Sequence, residues 1–124
     1  MTVSVRYLVD DVDVTSTFYL SHLGFTEVGD WGAGAPFRML ERGDLTLWVS
    51  GPGSSAARPM PDGSRPEPGG WNRFVIEVDD IEAEVERLRA AGVRFRNDVV
   101  TGPGGKQVVI EDPAGNPVEL FEPA

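Results

Sequence analysis

The two halves of this chain repeat one another. Val9-Asp10-Asp11-Val12 returns as Val78-Asp79-Asp80-Ile81, 69 positions later. Gly24-Phe25 returns as Gly92-Val93 at a spacing of 68, and Gly43-Asp44 as Gly115-Asn116 at 72. A duplication of this kind means that one supersecondary unit is built twice, so any fold assigned to the first half must also fit the second.

In the first half, Val3, Val5, Tyr7 and Val9 alternate with Ser4, Arg6 and Leu8, the pattern of a strand with one apolar face. Asp10-Asp11 supplies cap acceptors for a helix over Val12 to Leu23, with Val14 and Phe18 near helical spacing and Gly24 as its stop. A short strand follows at Phe25 to Val28, then a Gly-rich loop carrying an exposed Trp31, then strands at Phe37 to Leu40 and Leu45 to Val49. The second half repeats this order. Phe74, Ile76 and Val78 alternate; Asp79-Asp80 caps a helix whose stripe is Ile81, Val85 and Leu88; Gly92 stops it; and Val93 to Phe95 is a short strand. A hairpin closes the chain, because Asp112-Pro113-Ala114-Gly115-Asn116 is a turn sequence between apolar runs. Gly102-Pro103-Gly104-Gly105-Lys106 is a hairpin connection, since a phosphate loop needs a strand-loop-helix context that is missing here.

The expected fold class is therefore α+β: two tandem βαβββ modules, residues 1–50 and 71–124, within a single domain of residues 1–124. Residues 51–70 hold Pro52, Pro59, Pro61, Pro66 and Pro68 and read as a linker without regular structure. A loop of that length is otherwise functional or mobile.

Composition excludes several function classes. Acidic residues outnumber basic ones 20 to 11, giving a net charge of −9, so nucleic acid and anionic membrane surfaces are not expected partners. The absence of cysteine removes disulfides, thiolate metal sites and a Cys nucleophile. No serine stands beside a histidine on plausible elements, so a hydrolytic triad has no members. The first residues read directly as a strand, and no apolar run approaches the ~18 residues of a membrane span, so a cytoplasmic protein is expected.

Taken in order, Val9-Asp10-Asp11, Phe18-Tyr19 with Leu23-Gly24-Phe25, Val78-Asp79-Asp80-Ile81 with Leu88-Arg89-Ala90-Ala91-Gly92-Val93, and Glu111 to Leu120 resemble the vicinal oxygen chelate superfamily. That superfamily includes glyoxalase I, extradiol dioxygenases, fosfomycin resistance enzymes and bleomycin resistance proteins. The resemblance implies paired βαβββ modules whose mixed sheet curls into a cup, usually in a homodimer. It also implies four metal-ligand positions, commonly His, Glu or Gln, His and Glu. Counted from the Asp-Asp caps and the 72-residue spacing, these fall on Ser4, Leu47, Arg73 and Glu119. Leu has no donor atom and Arg is a permanent cation, so no metal and no other cofactor is expected. The single histidine, His22, lies on the first helix.

Arg73 and Glu119 would face the same cup, where a guanidinium can stand in for the missing cation. The pair either orients a polar ligand group or merely neutralises two partly buried charges. Strand parity places Ser4, Arg6 and Leu8 on the cup face, with Arg73, Val75 and Glu77, and with Leu45, Leu47 and Val49. Trp31, Phe37, Met39, Met60, Trp71 and Phe121 are candidate walls or rim, and Asp62 is either a rim acid or a solvated turn residue. Such a cup suits a planar, largely apolar small molecule. The leading expectation is a metal-free binding protein of the glyoxalase/bleomycin resistance type that sequesters an aromatic drug or natural product, as in antibiotic resistance. Its candidate ligand-binding residues are Arg6, Trp31, Phe37, Met39, Leu47, Met60, Trp71, Arg73, Glu119 and Phe121. The rival is a lyase, isomerase or dioxygenase-like enzyme of the same superfamily with a non-standard site, using Glu77 or Glu119 as base or relocated metal ligands. A third reading is an interaction protein with a vestigial cup.

Overall fold

The computed structural model describes residues 3–124. The chain divides into two compact units with the boundary between Gly69 and Gly70. In the first unit, β1 (Ser4–Leu8), α1 (Val12–His22), β2 (Thr26–Val28), β3 (Phe37–Arg42) and β4 (Leu45–Ser50) form a sheet ordered β1-β4-β3-β2. The second contains β5 (Val75–Glu77), α2 (Ile81–Ala90), β6 (Arg94–Phe95), β7 (Val100–Gly102), β8 (Gly105–Glu111) and β9 (Pro117–Pro123), ordered β5-β9-β8-β6. In both, the first strand lies parallel to the last and the remaining pairs are antiparallel. The repeated βαβββ plan read from the sequence is thus present twice. The second copy adds β7, which pairs with β8 through the Gly102-to-Gly105 turn.

Equivalent devices start and stop the helices. Asp11 Oδ1 accepts from the Val14 amide at 3.0 Å, and Asp80 Oδ1 from Ala83 at 3.2 Å, each satisfying a donor the first turn leaves free. Gly24 and Gly92 follow the helices at φ +72° and +80°, where a Cβ would be strained. Helix α2 buries Ile81 and Leu88 completely. Helix α1 departs from expectation: Val14 is exposed, and the buried face is Val12, Thr15, Ser16, Phe18 and Tyr19. His22 is half-buried at the end of that helix, its ring edge-on to Phe18 at 5.6 Å.

Residues 51–69 fall within the first unit and are more than a bare tether. Gly51 donates to the Pro36 carbonyl at 2.8 Å, and the Ser54 hydroxyl to Gly51 O at 2.7 Å. A single 3-10 turn covers Ser55–Ala57, and Met60 N pairs with Ser64 O at 2.7 Å.

Register fixes which residues share a sheet face. In the first unit Arg6 lies beside Trp48 and Trp48 beside Met39, while Leu8, Ser50 and Phe37 form the next row. The opposite face carries Val5, Tyr7, Leu40, Leu47 and Val49. It is the face under α1, because Arg38 on that side bonds Asp13 of the helix at 2.8 Å. Leu47 is fully buried there, 0% exposed. The placement of Leu45, Leu47 and Val49 beside Arg6 on one face is therefore corrected. Only two residues, Gly43 and Asp44, separate the paired Arg42 and Leu45, whereas five separate Glu111 from Pro117. Aligning the two turns on their glycines slips the following strand by one residue, and a slip of one exchanges the faces. The residue of β4 equivalent to Glu119 is Trp48: β1 pairs Arg6 with Trp48 as β5 pairs Val75 with Glu119.

Candidate functional site

Each unit presents a cluster of polar and aromatic side chains on the sheet face away from its helix. In the first unit the cluster is an aromatic row. Trp31 sits edge-on to Phe37 with centroids 5.2 Å apart, and Phe37 edge-on to Trp48 at 5.9 Å, both favoured T-shaped contacts. The Gly-rich loop holding Trp31 is tied down because the indole Nε1 donates to Val28 O at 2.7 Å, so this residue is half-buried rather than free. Met39 lies beside Trp48. Arg6 ends the row: its guanidinium stacks 4.8 Å from the Trp48 ring and 5.9 Å from Phe37, and Nη1 donates to Ser50 Oγ at 3.1 Å. Trp48 Nε1 is buried without an acceptor among the described residues. At the end of β1, beside Leu8, a cavity of about 300 Å³ opens between Val9, Asp10, Ala57, Arg65 and Pro66.

In the second unit the cluster is charged. Arg73 Nε and Nη2 both donate to Glu119 Oε1, at 3.0 and 2.8 Å, and Nη1 donates to Trp71 O at 3.2 Å. The side chains are 25% and 12% exposed, so the pair is largely shielded from water. Both guanidinium contacts fall on one carboxylate oxygen, which leaves Oε2 without a partner among the described residues. Beside this pair Arg96 stacks on Trp71 at 4.5 Å and donates to Glu111 Oε2 at 2.9 Å and to the carbonyls of Gly70 and Gly115. The other face of the exposed Trp71 ring is left for stacking. Phe121 shares this sheet face, paired with Glu77 and Gln107.

Of the residues singled out from the sequence, Arg6, Trp31, Phe37 and Met39 come together in one unit, and Trp71, Arg73 and Glu119 in the other. Leu47 belongs to the core. Met60 stands exposed on the 51–69 segment, and Asp62 there is a turn residue, its Oδ1 accepting from the Ser64 amide and hydroxyl. Sequence reasoning missed Trp48, Ser50, Arg96 and Glu111. The signal for Trp48 was its place in register with Arg6, hidden by the glycine alignment. Arg96 follows a two-residue strand too short for parity to place.

The donor set does not fit the metal site the resemblance implies. Among the described residues no three His, Cys, Asp or Glu side chains gather closely enough to hold a metal ion. Arg73 has no lone pair to offer a metal, and its guanidinium already occupies one oxygen of Glu119.

Comparison with known proteins matches this fold and its repeat. TioX from Micromonospora sp. ML1 superposes with a TM-score of 0.78 at 19% identity, covering 100% of this chain and 99% of its own. TnmS3, an antibiotic binding protein from Streptomyces sp. CB03234, gives 0.74 at 23% identity, covering 100% and 96%. Lactoylglutathione lyase from Agrobacterium tumefaciens gives 0.73, also at 23%, covering 98% and 92%. At these identities the likeness shows the fold, and the fold serves a binding protein and an enzyme equally well. No curated protein matches the sequence. The family model for Glyoxalase/Bleomycin resistance protein/Dioxygenase matches residues 3–120, nearly the whole duplicated chain, and the protein belongs to that superfamily.

Proposed function

We propose that this protein is a metal-independent binder of small planar molecules, a family member that sequesters an aromatic drug or natural product rather than transforming it. One observation carries the reading: an Arg73–Glu119 ion pair stands where the family resemblance calls for metal ligands. The guanidinium supplies fixed positive charge to Glu119 without an open coordination position. What remains is a shielded polar anchor with one free carboxylate oxygen, suited to accepting a hydrogen bond from a ligand N–H or O–H. Aromatic side chains accompany a polar group in both units: Trp71 with Arg73, and Trp31, Phe37 and Trp48 with Arg6. That combination supports recognition of a flat, mostly apolar molecule with a few polar substituents. The same reading takes the protein to be a cytoplasmic homodimer, and sedimentation at micromolar concentration checks the second part.

One observation favours a second reading. Glu119 Oε2 is free while Oε1 is held, an arrangement that also suits a general base in a metal-independent lyase or isomerase. A single experiment separates the two. All three tryptophans lie in the clusters, so a panel of planar aromatic natural products is titrated against intrinsic fluorescence, and bound compounds are recovered for mass analysis. Saturable quenching with the compound recovered unchanged is the expected result. Turnover abolished by Glu119→Gln would establish the enzymatic reading instead.

A further inference from the structure

We infer that Arg6 and the aromatic row Trp31–Phe37–Trp48 form a subsite for the anionic oxygen of an acidic aromatic ligand, a ring system bearing a carboxylate or phenolate. This deepens the binding-protein reading and rests on it.

The charge environment of Arg6 is the first ground. The chain carries 20 acidic residues against 11 basic ones, so a shielded arginine is expected to find a carboxylate. The well-shielded arginines do so, whereas Arg6 is an exposed residue set against aromatic rings. Arg38 pairs with Asp13 and Glu27, Arg73 with Glu119, and Arg96 with Glu111. Among the described residues no carboxylate reaches Arg6; its hydrogen-bond partner is the neutral Ser50 hydroxyl. A guanidinium has five N–H donors in a planar fork, and one is engaged here, which leaves four for an acceptor.

The second ground is orientation. Although exposed, Arg6 does not extend freely into water: its guanidinium lies 4.8 Å from the Trp48 ring and 5.9 Å from Phe37 and is tethered at Nη1 to Ser50. Stacking on aromatic faces suits the weakly hydrated guanidinium and holds its fork in the sheet face, so less side-chain freedom is lost when an oxyanion arrives. The row that holds Arg6 also supplies rings against which a flat ligand stacks. Trp48 Nε1, buried without an acceptor on the same face, is a second N–H donor that the protein leaves unmet. Donors without acceptors, beside aromatic rings and away from any carboxylate, select an acidic aromatic over a neutral or cationic one. The Arg73–Glu119 cluster has the opposite character, since its unmet group is an acceptor.

The test uses a matched pair of probes, anthraquinone-2-carboxylate and anthraquinone-2-carboxamide, titrated against intrinsic fluorescence of the full chain. The carboxylate should bind the wild-type protein roughly ten- to a hundredfold more tightly, the usual worth of a hydrogen bond to a charged partner. Arg6→Gln should erase this preference, Arg6→Lys should keep part of it, and Arg58→Gln, an exposed arginine outside the row, should leave it unchanged. Circular dichroism establishes that each variant is folded, and Ser50→Ala gives a milder perturbation should Arg6→Gln not fold. Equal affinity for both probes, or a preference that survives in Arg6→Gln, overturns the subsite while leaving the binding reading in place. So does failure of both probes when other aromatic compounds saturate. If no planar compound binds at all, the binding reading fails with it.

Discussion

At the scale of single residues, two paired arginines make opposite statements. Arg38 bridges Asp13 on the helix and Glu27 on the neighbouring strand, tying α1 to the sheet from its covered face. The Asp13 carboxyl is held below its ordinary value of 3.8, first by the Gly34 amide and then by the Arg38 guanidinium. A carboxylate with a depressed folded pKa contributes stability above its unfolded pKa and loses that contribution as pH falls through the folded value. Asp13→Asn should therefore lower the melting temperature at pH 7, and the gap to wild type should close below pH 3.8, read from melting curves between pH 7 and pH 2. The Arg73–Glu119 pair lies on the face away from the helix, and its carboxylate is more shielded than Asp13 or Glu27. Removing either partner strands the other, so Arg73→Ala or Glu119→Ala should cost more than the ~1 kcal/mol of an exposed pair and less than the ~3–5 kcal/mol of a wholly buried one. Replacing Arg73 by Met and Glu119 by Leu together should recover part of that stability while ligand binding stays lost. A double-mutant cycle on both melting and affinity checks this, and small additive effects in both would mean that the two side chains act separately.

At the scale of elements, the caps and turns decide how much of the fold could be read in advance. Asp10-Asp11 and Asp79-Asp80 announce both helices because an N-cap acceptor is a local requirement that sequence displays directly. Asp80→Ala should cost about 1 kcal/mol through the loss of that cap, seen as a lowered urea midpoint with an unchanged slope. The buried face of α1 was not legible, since Thr15 and Ser16 are buried and Val14 exposed, against their polarity. The open face of β4 was misread for a different reason. Its register depends on how many residues the preceding turn contains, and two turns of unequal length both contain a glycine. Hence Leu47 took the place that belongs to Trp48. The corrected assignment is testable. Leu47→Ala should cost about 2–5 kcal/mol as a core truncation, whereas Trp48→Phe should cost less stability and weaken aromatic ligand binding. The Arg73–Glu119 pair was legible as two residues but not as a contact, because their chain separation of 46 positions carries no local signal.

At the scale of the whole molecule, the duplicated plan, the match over residues 3–120 and the repeated sheet order place the chain in its superfamily, while its chemistry must come from the site. No helix among the described residues is long and apolar enough to cross a membrane. The account turns on whether a guanidinium has replaced a metal. Melting of the purified protein, stripped with chelator and then titrated with Zn²⁺, Mn²⁺ or Fe²⁺, tests this most directly. A functional site at a hundredfold excess over its Kd would add ~2.7 kcal/mol, a rise of roughly 10 °C for a chain of this size. The account predicts no such rise with any of the three ions. A stoichiometric rise that disappears in Glu119→Gln would contradict it.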